Sequence, residues 1–287
     1  MTATGSHRRS NAATEVDRAF SQIRRDRRRG AHALGEMALR TIDRLIAGGP
    51  HESDPALRRR YRRIAENLRR AQPAMGAFLR WSSDWYRIAR AGSAGTRRAE
   101  GRAWVRRERA RLGREVARIV RTGRSRFPEV RSVLTLSRSE TVLAVLRAAQ
   151  ERVRIETVVV LESRPGSEGR AFAADLRRHG LPGRVIPDRQ CATAAASCDL
   201  VVVGADAIFA DGSVVHKVGT RTLAHAATRA GVPVVVVAGS SKFAGRAPPH
   251  ERWPSLFDRT PRRFVSEYWT DRGVLPGGSG RPLRVRH

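Results

Sequence analysis

Short runs of β-branched residues alternate with helix-length segments in the second half of the chain, and no other feature limits the choice of fold as strongly. The apolar runs are Val133–Leu136, Val158–Leu161, Val185–Ile186, Leu200–Val203 and Val234–Val237. Between them, residues 141–151, 169–179 and 221–230 have helical spacing. Nearly continuous apolar strands joined by helices predict a parallel sheet that is covered on both faces.

The residues before this sheet have helical periodicity only. Apolar residues recur three or four positions apart in segments such as 34–45 and 112–120, which predicts amphipathic helices. Gly-Gly-Pro at 48–50 and the small residues at 91–95 are predicted to separate these helices. We therefore expect an α/β protein with a disordered tail at residues 1–14, a helical domain at 15–128 and a parallel-sheet domain at 129–287.

Several classes of protein are excluded by composition. No run of about eighteen apolar residues is present to span a bilayer, and the N-terminus has no apolar stretch that could act as a secretion signal. We therefore expect a cytoplasmic protein with no membrane partner. Cys191 and Cys198 are too few for a disulfide framework and lack zinc-ligand spacing. Because dinucleotide-binding and P-loop motifs are also absent, we expect no metal and no cofactor.

The formal net charge of +29 raises the alternative of a nucleic-acid- or ribosome-associated protein, since dense positive charge binds phosphate backbones by counterion release. Two observations count against it. Lysine occurs only at Lys217 and Lys242, so arginine replaces lysine along the whole chain and not in one patch. Many arginines also fall on solvent-facing helical positions. Nucleic acid is a partner that we do not favour.

Polar loops follow four of the predicted strands. A doubly wound sheet binds its ligands beyond the carboxyl ends of the strands. Hydroxyls and small residues ahead of a helix present backbone N–H groups there, and arginine forks bind oxyanions. The loops are LSRSET (136–141), ESRPGSEGR (162–170), GADAIFADG (204–212) and AGSSKF (238–243). They predict a site for a phosphorylated ligand centred on residues 204–220.

A family resemblance is carried by five segments of the second half, in order: VLTLSRSETVLAVL (133–146), VVVLESRPGSEGRAFAADL (158–176), VVVGADAIFADGSVVHKVGT (201–220), GVPVVVVAGSSKF (231–243) and FDRTPRRFVSEYWTDRGVLP (257–276). They resemble the α, β and δ regulatory subunits of eukaryotic translation initiation factor 2B and their enzyme relatives, methylthioribose-1-phosphate isomerase and ribose-1,5-bisphosphate isomerase. The resemblance implies a helical N-terminal domain, a Rossmann-like C-terminal domain that binds a sugar phosphate, and a homodimer or larger homo-oligomer.

The isomerases of this family move a proton between C2 and C1 of a phosphorylated aldose with a paired cysteine and aspartate. The resemblance assigns the aspartate position to Asp206 and the cysteine position to Ser137, so both are candidate catalytic residues. A serine hydroxyl is far less acidic than a thiol, and the non-catalytic initiation-factor subunits also have serine here. We expect Ser137 to bind a ligand hydroxyl and not to shuttle a proton. Asp206 has the alternative role of a turn or helix-capping carboxylate.

The candidate substrate-binding residues are Arg29, Gly30, Arg138, Arg164, Glu168, His216 and Lys217. His216 replaces an asparagine of the family and Gln72 replaces an arginine, so the ligand can differ from ribose 1,5-bisphosphate. We assign Lys217 to phosphate because an arginine-rich chain retains a compact ammonium there; a surface charge is the alternative. Arg29 and Gly30 could belong to a solvated helix start, and Arg164 and Glu168 could pair with each other.

Together these residues predict a protein that binds a phosphorylated sugar or a nucleotide, with weak or no isomerase activity. The alternative is an aldose-ketose isomerase whose substrate resembles ribose 1,5-bisphosphate or methylthioribose 1-phosphate.

Overall fold

A computed structural model describes residues 4–26, 29–47, 52–245 and 255–279. Its first part is helical: α1 (Thr4–Arg25), α2 (Ala31–Ala47), α3 (Asp54–Ala71), α4 (Gly76–Arg90) and α5 (Ala94–Arg126). The helix break predicted at 48–50 lies outside the described residues, and the one predicted at 91–95 separates α4 from α5. Within the described ranges, every helix is too short or too polar to cross a membrane.

Aromatic side chains fill the core of the helical part. Trp81 and Trp85 on α4 contact Trp104 on α5 edge to face, with ring centroids 5.7 and 5.4 Å apart. All three rings are buried, together with the apolar faces of α2 and α3. Edge-to-face aromatic pairs add to the stability that burial supplies, so these helices have an apolar core of their own.

The residues divide into two compact units, Met1–Leu112 and Gly113–His287. The division lies inside α5, on the N-terminal side of the domain boundary that the sequence predicts between residues 128 and 129. Ile119, near the end of α5, belongs to the same buried apolar cluster as Phe127 and Trp269, which explains why this part of the helix groups with the second unit.

Helix α1 starts at Thr4, within the segment for which the sequence predicts a disordered tail. Val16, Phe20 and Ile23 lie three or four residues apart on this helix and are fully buried. Burial of one apolar face stabilises a helix that residue propensity alone would leave marginal, and the helix extends from this anchored part toward the N-terminus.

The second unit contains all the strands among the described residues. In chain order they are β1 (Ser132–Leu136), β2 (Thr157–Leu161), β3 (Gly183–Ile186), β4 (Leu200–Val203), β5 (Ala207–Ile208), β6 (Val214–Lys217), β7 (Val234–Val237), β8 (Phe257–Thr260), β9 (Glu267–Thr270) and β10 (Gly273–Pro276). The helices between them are α6 (Glu140–Gln150), α7 (Glu168–Arg178), α8 (Cys191–Ala196) and α9 (Thr220–Ala230).

The main sheet has the strand order β10-β9-β7-β4-β1-β2-β3, in which only the β9–β10 pair is antiparallel. Every residue of β4 and β7 is buried, as expected for apolar runs covered on both faces. The predicted α/β fold with a helical N-terminal part is therefore confirmed. From β1 the chain proceeds outward to β2 and β3 and then returns with β4 to the other side of β1. Such a reversal opens a crevice at the carboxyl ends of the two central strands.

A second, antiparallel sheet has the order β5-β6-β8. The sequence pattern did not predict it, because β5 has two residues and β6 ends in His216 and Lys217. All four residues of β6 are buried. This small sheet therefore carries two of the predicted site residues on one strand.

Gly169 allows α7 to begin against the end of β2. A Cβ atom built on Gly169 would lie 2.0 Å from the backbone oxygen of Leu161 and 3.0 Å from that of Glu162. We expect Gly169→Ala to lower the free energy of unfolding by about 1–3 kcal/mol, the usual cost of overpacking, because the helix must move away from the strand.

Gly113→Ala is the matched control, since Gly113 is also helical but its Cβ would meet no atom within 4 Å. Alanine favours a helix over glycine by up to about 1 kcal/mol, so this variant should be as stable as the parent or more so. Urea denaturation compares the two, and a Gly169→Ala chain as stable as Gly113→Ala would contradict the close approach.

Candidate ligand site at the ends of strands β1 and β4

Three elements meet at the crevice between β1 and β4. Ser139 follows β1, Gly204 and Asp206 follow β4, and His216 lies in β6. A Cβ atom built on Gly204 would lie 3.0 Å from Ser139 Oγ and 3.4 Å from His216 Nε2. A residue with a side chain at position 204 would therefore fill the space between these two polar groups.

Asp206 is half-buried in this crevice, and its backbone N–H donates to the oxygen of Val215 at 2.8 Å. Burial raises the pKa of Asp206 to about 6, although the positive charges of Lys242 and Lys217 act in the opposite direction. Its carboxylate makes no hydrogen bond with the described residues. A carboxyl group with a pKa near neutrality can both take up and release a proton at physiological pH.

Both lysines of the chain are anchored at this end of the sheet. Lys217 Nζ donates to Glu168 Oε1 at 2.6 Å, and Lys242 Nζ donates to the backbone oxygen of Ala205 at 2.5 Å. The Lys217 side chain is only 8% exposed. An ammonium group has three N–H donors, and within the described part of the chain each lysine uses one of them.

His216 is buried beside these ammonium groups. Its Nδ1 atom lies 3.1 Å from Thr220 Oγ1 at the start of α9. Burial, together with the positive charges of Lys242 and Lys217, lowers the pKa of His216 to about 3, so the ring is neutral near pH 7. Thr220 was not among the predicted site residues. Its one sequence signal is a hydroxyl four residues after a histidine, where a strand passes into a helix.

Ser137 has left-handed backbone geometry, with φ of 66°. Its backbone N–H donates to Ser163 Oγ at 2.7 Å, and its side chain is close to fully buried. The Ser137 hydroxyl makes no hydrogen bond with any described residue. A serine nucleophile or proton shuttle needs an adjacent base, and no described residue is hydrogen-bonded to this hydroxyl as its base.

The other predicted side chains near the strand ends have partners within the protein. Arg138 Nε donates to Asp175 Oδ2 at 2.7 Å, and Arg164 Nε donates to Glu162 Oε2 at 3.0 Å. Arg164 and Glu168 do not pair with each other: Arg164 pairs with Glu162, and Glu168 accepts from Lys217. The Arg164 side chain is nevertheless 71% exposed and lines a cavity of about 440 Å³ beyond the ends of β2 and β3.

Backbone N–H groups beyond β7 and before α9 are already bonded to carboxylates. Ser240 N donates to Asp271 Oδ1 at 2.5 Å, and Ser241 N donates to Glu115 Oε1 at 2.7 Å. Asp258 accepts the first N–H groups of α9 in the same way. The expectation that these N–H groups are free for a phosphate is therefore wrong, since acidic residues distant in sequence occupy them.

Arg29, Gly30 and Gln72 belong to the helical unit. Arg29 pairs with Asp26 at 2.5 Å and is half-exposed, and a Cβ atom built on Gly30 would meet nothing within 4 Å. Gln72 is buried, and its Nε2 donates to the backbone oxygen of Ile23 at 2.7 Å. The Gln72 amide thus donates to a backbone carbonyl near the end of α1. Arg29 and Gly30 stay predicted phosphate contacts in this unit.

The described residues contain no group of three or more His, Cys, Asp or Glu side chains arranged to hold a metal ion. Burial raises the pKa of Cys191 to about 11 and that of Cys198 to about 12. Both thiols are therefore protonated near neutral pH and are poor nucleophiles.

Comparison with known proteins gives a family match over most of the chain. The model of the Initiation factor 2 subunit family matches residues 27–254. A methylthioribose-1-phosphate isomerase of Gemmatimonas aurantiaca is 33% identical over 284 residues, covering 86% of this chain and 81% of that protein. A ribose 1,5-bisphosphate isomerase of Haloferax volcanii is 32% identical over 193 residues, 58% of this chain, and the match spans only 59% of that relative's length.

Among solved structures, a translation initiation factor eIF-2B from Pyrococcus horikoshii has the same fold, with a TM-score of 0.79 and 25% identity. The match covers 93% of this chain and 98% of that chain. These comparisons confirm the family resemblance that the five sequence segments carry.

The pKa of Asp206 provides a test of the site's electrostatics. We expect Lys242→Met to raise this pKa by about 1, because an ammonium close to a carboxylate favours its ionised form. Since the folded-state pKa already exceeds the usual value of 3.8, Asp206 contributes stability that is complete below about pH 4 and lost as the pH rises through 6. In Lys242→Met that loss should move to higher pH.

Carboxyl ¹³C chemical shifts report the titration, with the Asp206 signal assigned from Asp206→Asn. Arg229→Met, which removes a charge from the exposed far end of α9, is the control and should leave the pKa unchanged. An equal shift in both variants would contradict a local effect of Lys242.

Proposed function

We propose that this chain, which belongs to the Initiation factor 2 subunit family, binds a phosphorylated sugar or a nucleotide at the crevice between β1 and β4, with weak or no isomerase activity. The substrate-binding residues in this proposal are the predicted Arg138, Arg164, Glu168, His216 and Lys217, with Lys242 added; Arg29 and Gly30 are proposed as phosphate contacts of the helical unit. The named relatives act on sugar phosphates, which is consistent with a phosphosugar as ligand.

The single observation that carries the proposal is the pair of anchored ammonium groups. Lys217 and Lys242 each donate one hydrogen bond to a protein oxygen. The other two N–H groups of each ammonium have no acceptor among the described residues and are available at the crevice. Buried polar groups are nearly always hydrogen-bonded, and a phosphate with its acceptor oxygens would satisfy these donors. Both ammonium groups are fixed before a ligand arrives, which lowers the entropic cost of binding.

The groups around the ammonium pair suit sugar hydroxyls. Ser139, Asp206 and His216 offer a hydroxyl, a carboxyl and an imidazole within the same crevice. Hydroxyls of a ribose both donate and accept hydrogen bonds, so they match this mixture of partners. A phosphate on the lysines with the sugar toward Gly204 is the arrangement that we propose.

We propose weak or absent isomerase activity because Ser137 has a hydroxyl where the isomerases of the family have a cysteine thiol. Its hydroxyl has no bonded base among the described residues, so it cannot take the part of a cysteine thiolate in proton transfer. The alternative of an aldose-ketose isomerase is supported by Asp206, whose pKa of about 6 suits a general acid or base. Its substrate would resemble ribose 1,5-bisphosphate or methylthioribose 1-phosphate.

We also propose that the chain forms a homodimer or larger homo-oligomer, with nucleic acid as a partner that we do not favour. A homodimer or larger homo-oligomer is supported by β10, an edge strand that exposes Val274 and Leu275 by 38% and 43%, since apolar edge strands favour association. Nucleic acid is not favoured, because arginines such as Arg60, Arg63 and Arg126 are paired with carboxylates.

We expect ribose 1,5-bisphosphate to raise the thermal midpoint of the full chain, since a ligand at a hundred times its Kd stabilises by about 2.7 kcal/mol. Lys217→Met should weaken binding by about tenfold to a hundredfold, the usual loss of a charge-assisted hydrogen bond. Titration calorimetry measures this loss, with Arg229→Met as the charge-matched control. Equal affinity in the two variants, or the absence of any shift with ribose 1,5-bisphosphate, methylthioribose 1-phosphate and AMP, would sink the proposal.

Ser137→Cys tests the isomerase question directly. With the thiol restored and Asp206 in place, we expect turnover of ribose 1,5-bisphosphate to rise by about 100-fold or more over the parent, the scale of general acid-base catalysis. Asp206→Asn in the Ser137→Cys background should abolish the gain while retaining ligand binding. NMR of the sugar carbons follows the conversion. Measurable turnover by the parent, at the same rate as by Ser137→Cys, would favour the isomerase alternative instead.

A further inference from the structure

The direction of one hydrogen bond in the site follows from its partners. Thr220 Oγ1 lies 2.6 Å from the backbone oxygen of Lys217 and 3.1 Å from His216 Nδ1. A carbonyl oxygen can only accept, so the single hydrogen of the Thr220 hydroxyl points to Lys217. Thr220 Oγ1 can then only accept from His216, and Nδ1 must carry the ring's hydrogen.

A neutral imidazole has one N–H and one lone pair, so His216 Nε2 is an acceptor. The ring is neutral, because burial and the two ammonium groups lower the pKa of His216 to about 3. Such a pKa also makes the ring a poor general base near pH 7. His216 Nε2 can therefore accept a hydrogen bond but does not take up a second ring proton near pH 7.

His216 Nε2 lies beside the empty side-chain position of Gly204. A Cβ atom there would lie 3.4 Å from Nε2, and no residue within the described ranges donates to Nε2. A ligand in the crevice would meet this acceptor beside the Lys217 and Lys242 ammonium groups.

We propose that Thr220 fixes His216 as an acceptor-only group and that His216 thereby selects ligands with a hydroxyl next to the lysine-bound phosphate. This inference rests on the proposed binding of a phosphosugar. An asparagine amide would offer both a donor and an acceptor, whereas this imidazole offers a lone pair alone. A phosphate oxygen would be repelled by that lone pair, so the phosphate is directed to the lysines and a hydroxyl to His216. Thr220 is a positioning residue, and His216 determines specificity.

The tautomer is tested without any ligand. Long-range ¹H–¹⁵N correlation spectra of the full chain with ¹⁵N-labelled histidine, assigned from His216→Phe, should show a protonated Nδ1 and an unprotonated Nε2. Thr220→Val, which keeps the shape and removes the hydroxyl, should shift the ring toward the Nε2-protonated form, and Thr220→Ser should restore the parent signals. Thr228→Val is the control on the same helix, since that hydroxyl bonds only Ala224 O. A protonated Nε2 in the parent chain would overturn the assignment.

Selection of a hydroxyl is tested by affinity. We expect the parent chain to bind the 2-deoxy or the 3-deoxy analogue of ribose 1,5-bisphosphate about tenfold more weakly than ribose 1,5-bisphosphate, the loss of one hydrogen bond. In His216→Phe this penalty should disappear, because no ring nitrogen remains to bond the hydroxyl, while Thr220→Ser and Thr228→Val should keep it. Thermal midpoints confirm that each variant is folded.

Equal affinity of the parent for all three sugars, or the same penalty in His216→Phe, would overturn the inference while the proposed function stands. If none of the three sugars binds, the proposed selection of a hydroxyl fails, and the measurements with methylthioribose 1-phosphate and AMP decide whether the proposed function fails as well. The ligand-free spectra then decide separately whether Thr220 fixes the tautomer.

Discussion

The position of β4 beside β1 is the constraint on which the site depends. The chain places β2 and β3 on one side of β1 and then returns to the other side with β4. Crossover helices on the two sides of such a reversal cover opposite faces of the sheet, so the loops after the two central strands part and leave a crevice. Ser139 after β1 and Asp206 after β4 face this crevice, and the small β5-β6-β8 sheet adds His216 and Lys217.

Burial of several ionisable groups at one place sets the chemistry of the crevice. Desolvation raises the pKa of Asp206 and lowers that of His216 and Lys242, because each charged form loses water. Near neutral pH the crevice therefore contains a carboxyl group whose pKa is close to the solution pH, a neutral imidazole, and ammonium groups with N–H donors that have no acceptor in the described residues. Buried charges contribute little to stability, whereas perturbed groups in a crevice are typical of functional sites.

Five strands of the main sheet, β1 to β4 and β7, could be predicted because they are β-branched apolar runs, whereas β9 and β10 were not predicted, since neither is such a run. Residues 200–203 and 234–237 are apolar runs in the sequence and are β4 and β7 in the structure. The small sheet could not be predicted, since β6 ends in two polar residues whose burial depends on partners elsewhere. Lys217 is held by Glu168, 49 residues earlier, and periodicity along a strand carries no information about such a partner.

Partners distant in sequence also explain why some donors that the sequence predicted for a ligand are not available to it. Ser240 and Ser241 are the kind of residues that bind phosphate at a strand end, but Asp271 and Glu115 occupy their N–H groups. Gln72 is committed to the end of α1 by a bond to Ile23. Residue types predicted which chemistry the loops could perform, while long-range contacts decided which donors remain available.

A crystal structure of the full chain soaked with ribose 1,5-bisphosphate would show directly whether the crevice binds a phosphosugar. We expect a phosphate within hydrogen-bond distance of Lys217 Nζ or Lys242 Nζ, with the sugar lying over Gly204. Density for the ligand at another place on the protein, or an empty crevice at saturating ligand, would contradict it.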